Sequence, residues 1–169
     1  GARPLRGFDP DLVEMLIERG AGIGVDLMRE TEIVSVSEAS GALSVEVKSG
    51  DETRTIETDL VVHGAGRVAA LADLNLEAAG VDYSDKGIVV APHLQSTTSS
   101  AVYAAGDSAD TDGMPLTPVA VIEGKVAASN MLKDAQTVPD YAGIPTAVFT
   151  VPEVARVGML ESEARDAGH

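Results

Sequence analysis

Three short stretches hold the residues whose types and spacing could do chemistry. The apolar run at residues 102–105 (VYAA) ends in Gly106-Asp107. A strand finishing this way sets a carboxylate at the C-terminal edge of a sheet, where open α/β folds bind ligands. Gly106 has no Cβ to obstruct a close approach. Next, Leu116-Thr117-Pro118-Val119 opens a helical pattern. The first amides of a helix lack partners and the positive end of its dipole lies there, so that point favours negative charge. The third stretch is Gly66-Arg67, after the apolar run at residues 59–62 (DLVV). Each has a plainer alternative. Asp107 could merely begin an exposed acidic loop, and Thr117 could be an ordinary cap with Pro118 at the first helical position. Gly66-Arg67 could be a tight turn in which Arg67 pairs with a nearby carboxylate.

Other chemistries are poorly supported. The chain has no cysteine, so it carries no disulfide framework, thiolate metal site or redox dithiol of its own. Its three histidines, His63, His93 and His169, are far apart and show no ligand spacing, so no metal site is expected. Gly20-Ala21-Gly22-Ile23-Gly24 has the glycines of a dinucleotide fingerprint but the wrong context, because it follows a helix instead of a strand.

The elements that must position these residues read as mixed α/β. A helix is predicted over about residues 9–19. Asp9 is its N-cap, Pro10 its first residue, Leu12, Met15 and Leu16 its apolar stripe, and Gly20 its stop. An antiparallel meander follows. Residues 31–36 alternate, Leu43, Val45 and Val47 share a face, Ser49-Gly50-Asp51 turns, and residues 53–56 return. Residues 59–62 and 102–105 read as short, fully buried parallel strands, and residues 86–91 as another strand. Residues 71–80 form a short helical turn closed by Gly80. A strong helix is predicted over about residues 118–133, with Thr117 as cap and Val119, Ile122, Val126, Met131 and Leu132 as apolar positions. Gly124 within it costs about 1 kcal/mol against Ala, which close packing on a sheet would explain. Residues 141–145 mark a boundary, residues 147–150 open a strand, and residues 161–167 begin another helix.

Composition narrows the partners. The net charge is −15, from 27 acidic and 12 basic residues. Such a surface repels phosphate backbones and anionic lipid, so nucleic acid and membrane are not expected partners. No apolar stretch approaches the roughly 20 residues of a membrane span, and a cytoplasmic location is the expectation. Only four basic residues are lysine, which would suit a salt-rich cytoplasm, although a GC-rich genome gives a similar bias.

Four segments, in order, resemble the pyridine nucleotide-disulfide oxidoreductases of the glutathione reductase, mercuric reductase and dihydrolipoamide dehydrogenase kind. Residues 59–67 (DLVVHGAGR) are similar to the strand and Gly-Arg element closing that family's nicotinamide domain. Residues 100–107 (SAVYAAGD) look like its second FAD motif, residues 116–124 (LTPVAVIEG) like the helix start after it, and residues 144–158 (IPTAVFTVPEVARVG) like the opening of its interface domain. Weaker likeness covers residues 5–12 and 87–90. The family usually follows Gly-Arg with a Pro-Asn-like pair, where this chain has Val68-Ala69-Ala70.

The resemblance implies an α/β fold of partial FAD- and NAD(P)-binding, Rossmann-like domains with an antiparallel β-meander and the start of an α+β interface domain. Residues 1–70 would end the NAD(P)-binding domain, residues 71–142 would be the returning part of the FAD-binding domain, and residues 143–169 would start the dimerisation domain. It implies cofactor roles for Gly66, Arg67, Gly106, Asp107, Thr117, Pro118 and Val119. In the family, the Asp accepts a hydrogen bond from a ribityl hydroxyl of FAD. The helix points at the N1/O2 edge of the isoalloxazine ring, and the glycine of Gly-Arg approaches the nicotinamide nucleotide. The implied activity passes hydride from NAD(P)H to flavin and electrons onward to a disulfide or other small-molecule acceptor, in a homodimer. Leu-Thr-Pro favours glutathione- or mercuric-reductase-like members. The family's pyrophosphate fingerprints, redox dithiol and His–Glu acid/base pair are not in this sequence, so a piece without catalytic residues, inactive and weak in FAD binding by itself, is expected. The alternative is a non-catalytic α/β binding or assembly module on the same scaffold.

Overall fold

The computed structural model describes residues 3–39 and 41–169, which cluster into two units, residues 66–146 and residues 1–65 with 147–169. The fold is mixed α/β.

In the two-segment unit, helix α1 (Pro10–Ala21) precedes strands β1 (Thr31–Ala39), β2 (Ala42–Ser49) and β3 (Glu52–Thr58). The three strands form the expected antiparallel meander, in the order β1-β2-β3, with Val45 opposite both Val36 and Ile56. Val45 and Val47 are buried on one face of β2, as alternation requires. Two readings of α1 need correction. The helix runs past Gly20 to Ala21 and is capped at Gly22. Its buried stripe is Val13 with Leu16 and Ile17 packed beside it, whereas Leu12 and Met15 are exposed. Asp9 is the N-cap, as expected, but its side chain makes no capping bond. Its Oδ1 instead accepts the N–H of Glu161 at 2.8 Å, at the start of α3 (Glu161–Asp166). Val13, Phe8 and Val154 form this unit's apolar cluster. Val154 belongs to β8 (Val154–Arg156), which pairs with β7 (Thr146–Val148).

Residues 59–62 are not a strand. Leu60 is 72% and Val62 83% exposed. A buried parallel strand needs hydrogen-bonded neighbours and covered faces, and among the described residues none pairs with this stretch. The same cause shortens residues 102–105, where Tyr103 makes one isolated bridge to Gln95 while Ala104 is buried.

The second unit is built round a small three-stranded sheet: β4 (Tyr83–Ser84), β5 (Gly87–Val89) and β6 (Ala109–Asp110). β5 is shorter than the expected 86–91 and pairs parallel with β6, Ile88 opposite Ala109. Leu71, Leu76, Val81, Ile88, Ala104 and Ala109 form its apolar core. Residues 71–80 form a 3-10 turn at Ala72–Leu74 and further turns ending at Gly80. A Cβ at Gly87 would lie 2.7 Å from the Ser108 carbonyl oxygen and 2.6 Å from the Ala109 carbonyl carbon. Glycine there lets β5 close on the turn that carries Asp107.

Helix α2 (Thr117–Lys133) starts one residue earlier than expected. Leu116 is its N-cap, extended at φ −126°, and no side chain caps it; Thr117 is the first helical residue and Pro118 follows. Its buried residues are Val119, Glu123, Ala127 and Asn130, spaced along a single face. Met131 and Leu132, expected as apolar positions, are exposed. Gly124 has open space around its absent Cβ, so close packing on a sheet does not account for it.

Candidate functional site

Gly106 opens a 3-10 turn, Gly106–Ser108, against the side of α2. Its φ is +65°, and a Cβ there would come within 2.9 Å of the Ala120 Cβ. Glycine is thus needed for the backbone's left-handed conformation and for the approach of the helix, a structural demand the sequence reading assigned to a ligand. The turn places Asp107 beside the start of α2. Arg67, Gly106, Asp107 and Thr117 line one cleft of about 460 Å³ with Pro115 and Ala120. Arg67, Gly106, Asp107 and Val119 also line a second, adjoining cleft of about 660 Å³, together with Lys86 and Glu123. Gly66, with φ +106°, and Pro118 line neither of these clefts.

The electrostatics of the mouth are simple. Arg67 Nη2 lies 3.3 Å from Asp107 Oδ2, and both side chains are more than half exposed. An exposed pair of this kind contributes about 0–1 kcal/mol and is readily exchanged for another partner. The carboxylate pairing that was the plain alternative for Arg67 is therefore present, and the partner is Asp107. The first intrahelical bond of α2 runs from Ala120 N–H to the Leu116 carbonyl at 3.0 Å. Pro118 has no N–H, so the amides ahead of the ladder belong to Thr117 and Val119. Their positive field lies at the clefts that Thr117 and Val119 line.

Beneath the turn lies a group that sequence reasoning missed. Glu123 is fully buried. Its Oε2 accepts the Gly106 N–H at 2.5 Å, while Oε1 accepts the Thr111 hydroxyl at 2.8 Å and the Tyr141 hydroxyl at 2.7 Å. Burial pushes the Tyr141 phenol up to about 12, and its hydrogen bond to Glu123 adds to the shift. Asn130, also fully buried, makes a second polar anchor: its amide donates to the His93 and Thr137 carbonyls at 2.9 Å, and its oxygen accepts the Thr137 N–H at 3.0 Å. The signal was the spacing itself, since 119, 123, 127 and 130 continue one helical face through a carboxylate and an amide.

Comparison with known proteins identifies the family. The profile of the pyridine nucleotide-disulphide oxidoreductase family matches residues 1–124. A glutathione reductase of Burkholderia cepacia is 35% identical over 166 residues, covering 98% of this chain and 36% of that protein. An uncharacterised 19.7 kDa protein of a mercuric resistance operon in Staphylococcus aureus is 50% identical over 95 residues, 56% of this chain and 53% of that protein. The crystal structure of LpdA from Mycobacterium tuberculosis superposes with a TM-score of 0.79 at 28% identity, over 95% of this chain and 34% of that one. The chain thus spans about a third of the length of the glutathione reductase and about half of the operon protein. With the family profile matched through the start of α2, the chain belongs to the pyridine nucleotide-disulphide oxidoreductase family.

Proposed function

We propose that this chain supplies the ribityl and ring-edge half of an FAD site in an NAD(P)H-dependent oxidoreductase. The observation that carries the reading is the convergence of Asp107 and the start of α2 on one cleft. The residues fit a flavin on three counts. Asp107 has a carboxylate at the cleft wall, held only by an exposed ion pair, and so able to accept a hydrogen bond from a ribityl hydroxyl. The Thr117 and Val119 amides precede the helical ladder and favour the electron-rich N1/O2 edge of the ring. The turn at Gly106 brings the first group against the helix bearing the second. Gly66 and Pro118 act through the backbone they shape, Gly66 by its positive φ and Pro118 by leaving its neighbours' amides as the donors.

Bound flavin would carry hydride from NAD(P)H toward an acceptor, the redox chemistry being the cofactor's own. The chain's part is to orient the ring and favour charge at one edge. We assign residues 1–70, with the antiparallel meander, to the end of the nicotinamide domain, and Gly66-Arg67 resembles the family's Gly-Arg element, whose glycine approaches the nicotinamide nucleotide. Leu116-Thr117-Pro118 favours a glutathione- or mercuric-reductase-like reaction over that of a dihydrolipoamide dehydrogenase.

Half a site implies weak binding, because pyrophosphate and adenosine contacts supply much of the affinity for FAD. FMN at millimolar concentration should therefore shift the amide resonances of Asp107, Thr117 and Val119 in a ¹H–¹⁵N spectrum, with FAD binding no more than weakly better. Shifts confined to other residues, or none, would remove the flavin reading. A chain purified yellow with stoichiometric FAD would refute the half-site.

A further inference from the structure

We infer that Glu123 is a positioning residue for the cofactor cleft: from inside α2 it clamps the Gly106–Asp107 turn and so sets where the Asp107 carboxylate stands. The inference rests on the flavin reading for its purpose, but its geometry is independent of any ligand. Glu123 lies on the buried face of α2, two helical turns inside the N-terminus, where a carboxylate would be costly if it were left unpartnered. Here it has partners on both oxygens. Oε2 accepts the Gly106 N–H, and Oε1 accepts the hydroxyls of Thr111 and Tyr141. Those three partners come from the turn before β6, the loop after it and the segment beyond α2. One side chain thus gathers three stretches that share no sheet ladder.

The bond to Gly106 is the informative one. A turn with φ +65° at its first residue has several available backbone arrangements, since glycine is permissive. A charge-assisted bond to that residue's own N–H selects one. Asp107 is the next residue, so its direction into the cleft follows from how the Gly106 peptide is held. Close packing on the far side completes the clamp. A Cβ at Gly113 would lie 2.8 Å from each of Glu123 Oε1, Tyr141 Cε1 and Val119 Cγ1, which leaves the carboxylate little freedom to swing away. Tyr141 reports on the same group, because the Glu123 hydrogen bond helps to hold its phenol up at about 12.

Two substitutions separate clamping from simple filling of space. In E123Q the side-chain oxygen still accepts the Gly106 N–H, while the amide nitrogen donates to the Thr111 and Tyr141 hydroxyls, which reverse. E123L fills similar volume with no acceptor. On the full 169-residue chain, hydrogen exchange at the Gly106 amide should accelerate about ten- to a hundredfold in E123L and change little in E123Q. Amides of the apolar core round Ile88 and Ala104 should serve as the internal reference. The Tyr141 phenol, assigned by Y141F in an absorbance titration, should fall from its wild-type midpoint in both variants yet remain raised, because burial, the larger cause, persists. If E123L does not fold, E123Q still decides. Loss of Gly106 protection in E123Q overturns the clamp. So does Gly106 exchange in E123L that tracks the core amides.

Adding FMN keeps the two readings distinguishable. With the clamp in place, E123L should lose the FMN-induced shift at Asp107 and keep that at Thr117. Wild-type chain that shows no FMN shifts, yet loses Gly106 protection in E123L, retains the clamp and loses the flavin. FMN shifts at Asp107 that survive in E123L overturn the positioning role.

Discussion

Substituting Gly106→Ala tests the packing on which the cleft depends, and its cost can be worked from two separate terms. At φ +65° an L-residue meets its own carbonyl, a penalty of about 1–2 kcal/mol. The new Cβ would also stand 2.9 Å from the Ala120 Cβ, and overpacking of a well-filled contact costs about 1–3 kcal/mol. Together the two terms come to about 2–5 kcal/mol, a large share of the stability of a small domain. Two compact units make a single global unfolding free energy ill-defined. The assay is therefore native-state hydrogen exchange at Val89 and Ala104, whose amides donate to the Asp82 and Leu94 carbonyls inside this unit. Ala120→Gly removes the steric partner at a helix-propensity cost of about 1 kcal/mol. In the G106A/A120G double variant the steric term disappears and the dihedral term stays, so the pair should couple by about 1–3 kcal/mol. Coupling within about 0.5 kcal/mol of zero would mark the two sites as independent and would refute the claim that glycine serves the approach of α2. A neutral G106A would refute both terms at once.

Other perturbations follow from the same unit. Asn130→Ala removes three hydrogen bonds and leaves their backbone partners unpaired, and at about 1 kcal/mol each it should cost about 3 kcal/mol by the same exchange measurement. Asn130→Asp should cost more, since the oxygen replacing the donating amide then faces the His93 and Thr137 carbonyls. Tyr141 predicts a pH dependence. Its folded-state value is raised from 10.0 to about 12, so its contribution is full below pH 10 and is lost as pH rises toward 12. Denaturation midpoints followed from pH 9 to 12 should fall more steeply in wild type than in Y141F, and parallel curves would contradict the assignment. In the other unit, Phe149, Val151, Val157 and Met159 are exposed apolar residues around β7 and β8. Sedimentation should reveal association that grows with concentration and weakens in F149S; a clean monomer at high concentration would dispose of it.

The parts of this molecule legible in the sequence are those whose determinants are local. The meander could be read from alternation and from Ser49-Gly50-Asp51, because an antiparallel hairpin carries its partner strand and its turn in adjacent residues. The start of α2 was legible to within one residue from Pro118 and the apolar period. Residues 59–62 and 102–105 were misread because a parallel strand is defined by neighbours distant in sequence, which an apolar run cannot reveal. Asp107 and Thr117 could be named from their types and order. Their convergence on one cleft was expected from the family resemblance, but the packing that makes it, Gly106 meeting Ala120 and Gly87 meeting Ser108 and Ala109, was not legible.

The misreading of α2 explains how the second unit is organised. An ordinary amphipathic helix buries an apolar stripe, and the expected one included Met131 and Leu132. The stripe actually buried alternates Val119 and Ala127 with Glu123 and Asn130. Apolar side chains would contribute burial in no particular direction, whereas these two polar groups bind specific backbone and hydroxyl partners in segments with little regular structure of their own. The sheet here has only two- and three-residue strands, too short a ladder to fix the loops at residues 91–105, 111–116 and 134–145. A buried polar network holds such loops only when all its members are satisfied, and it loses more than one bond when any is removed. The helix that offers its amides to the cleft is therefore also the element that holds the cleft's opposite wall. Substitutions at Glu123 and Asn130 should accordingly perturb separate loops, residues 106–111 and residues 93 and 137, through one rigid body.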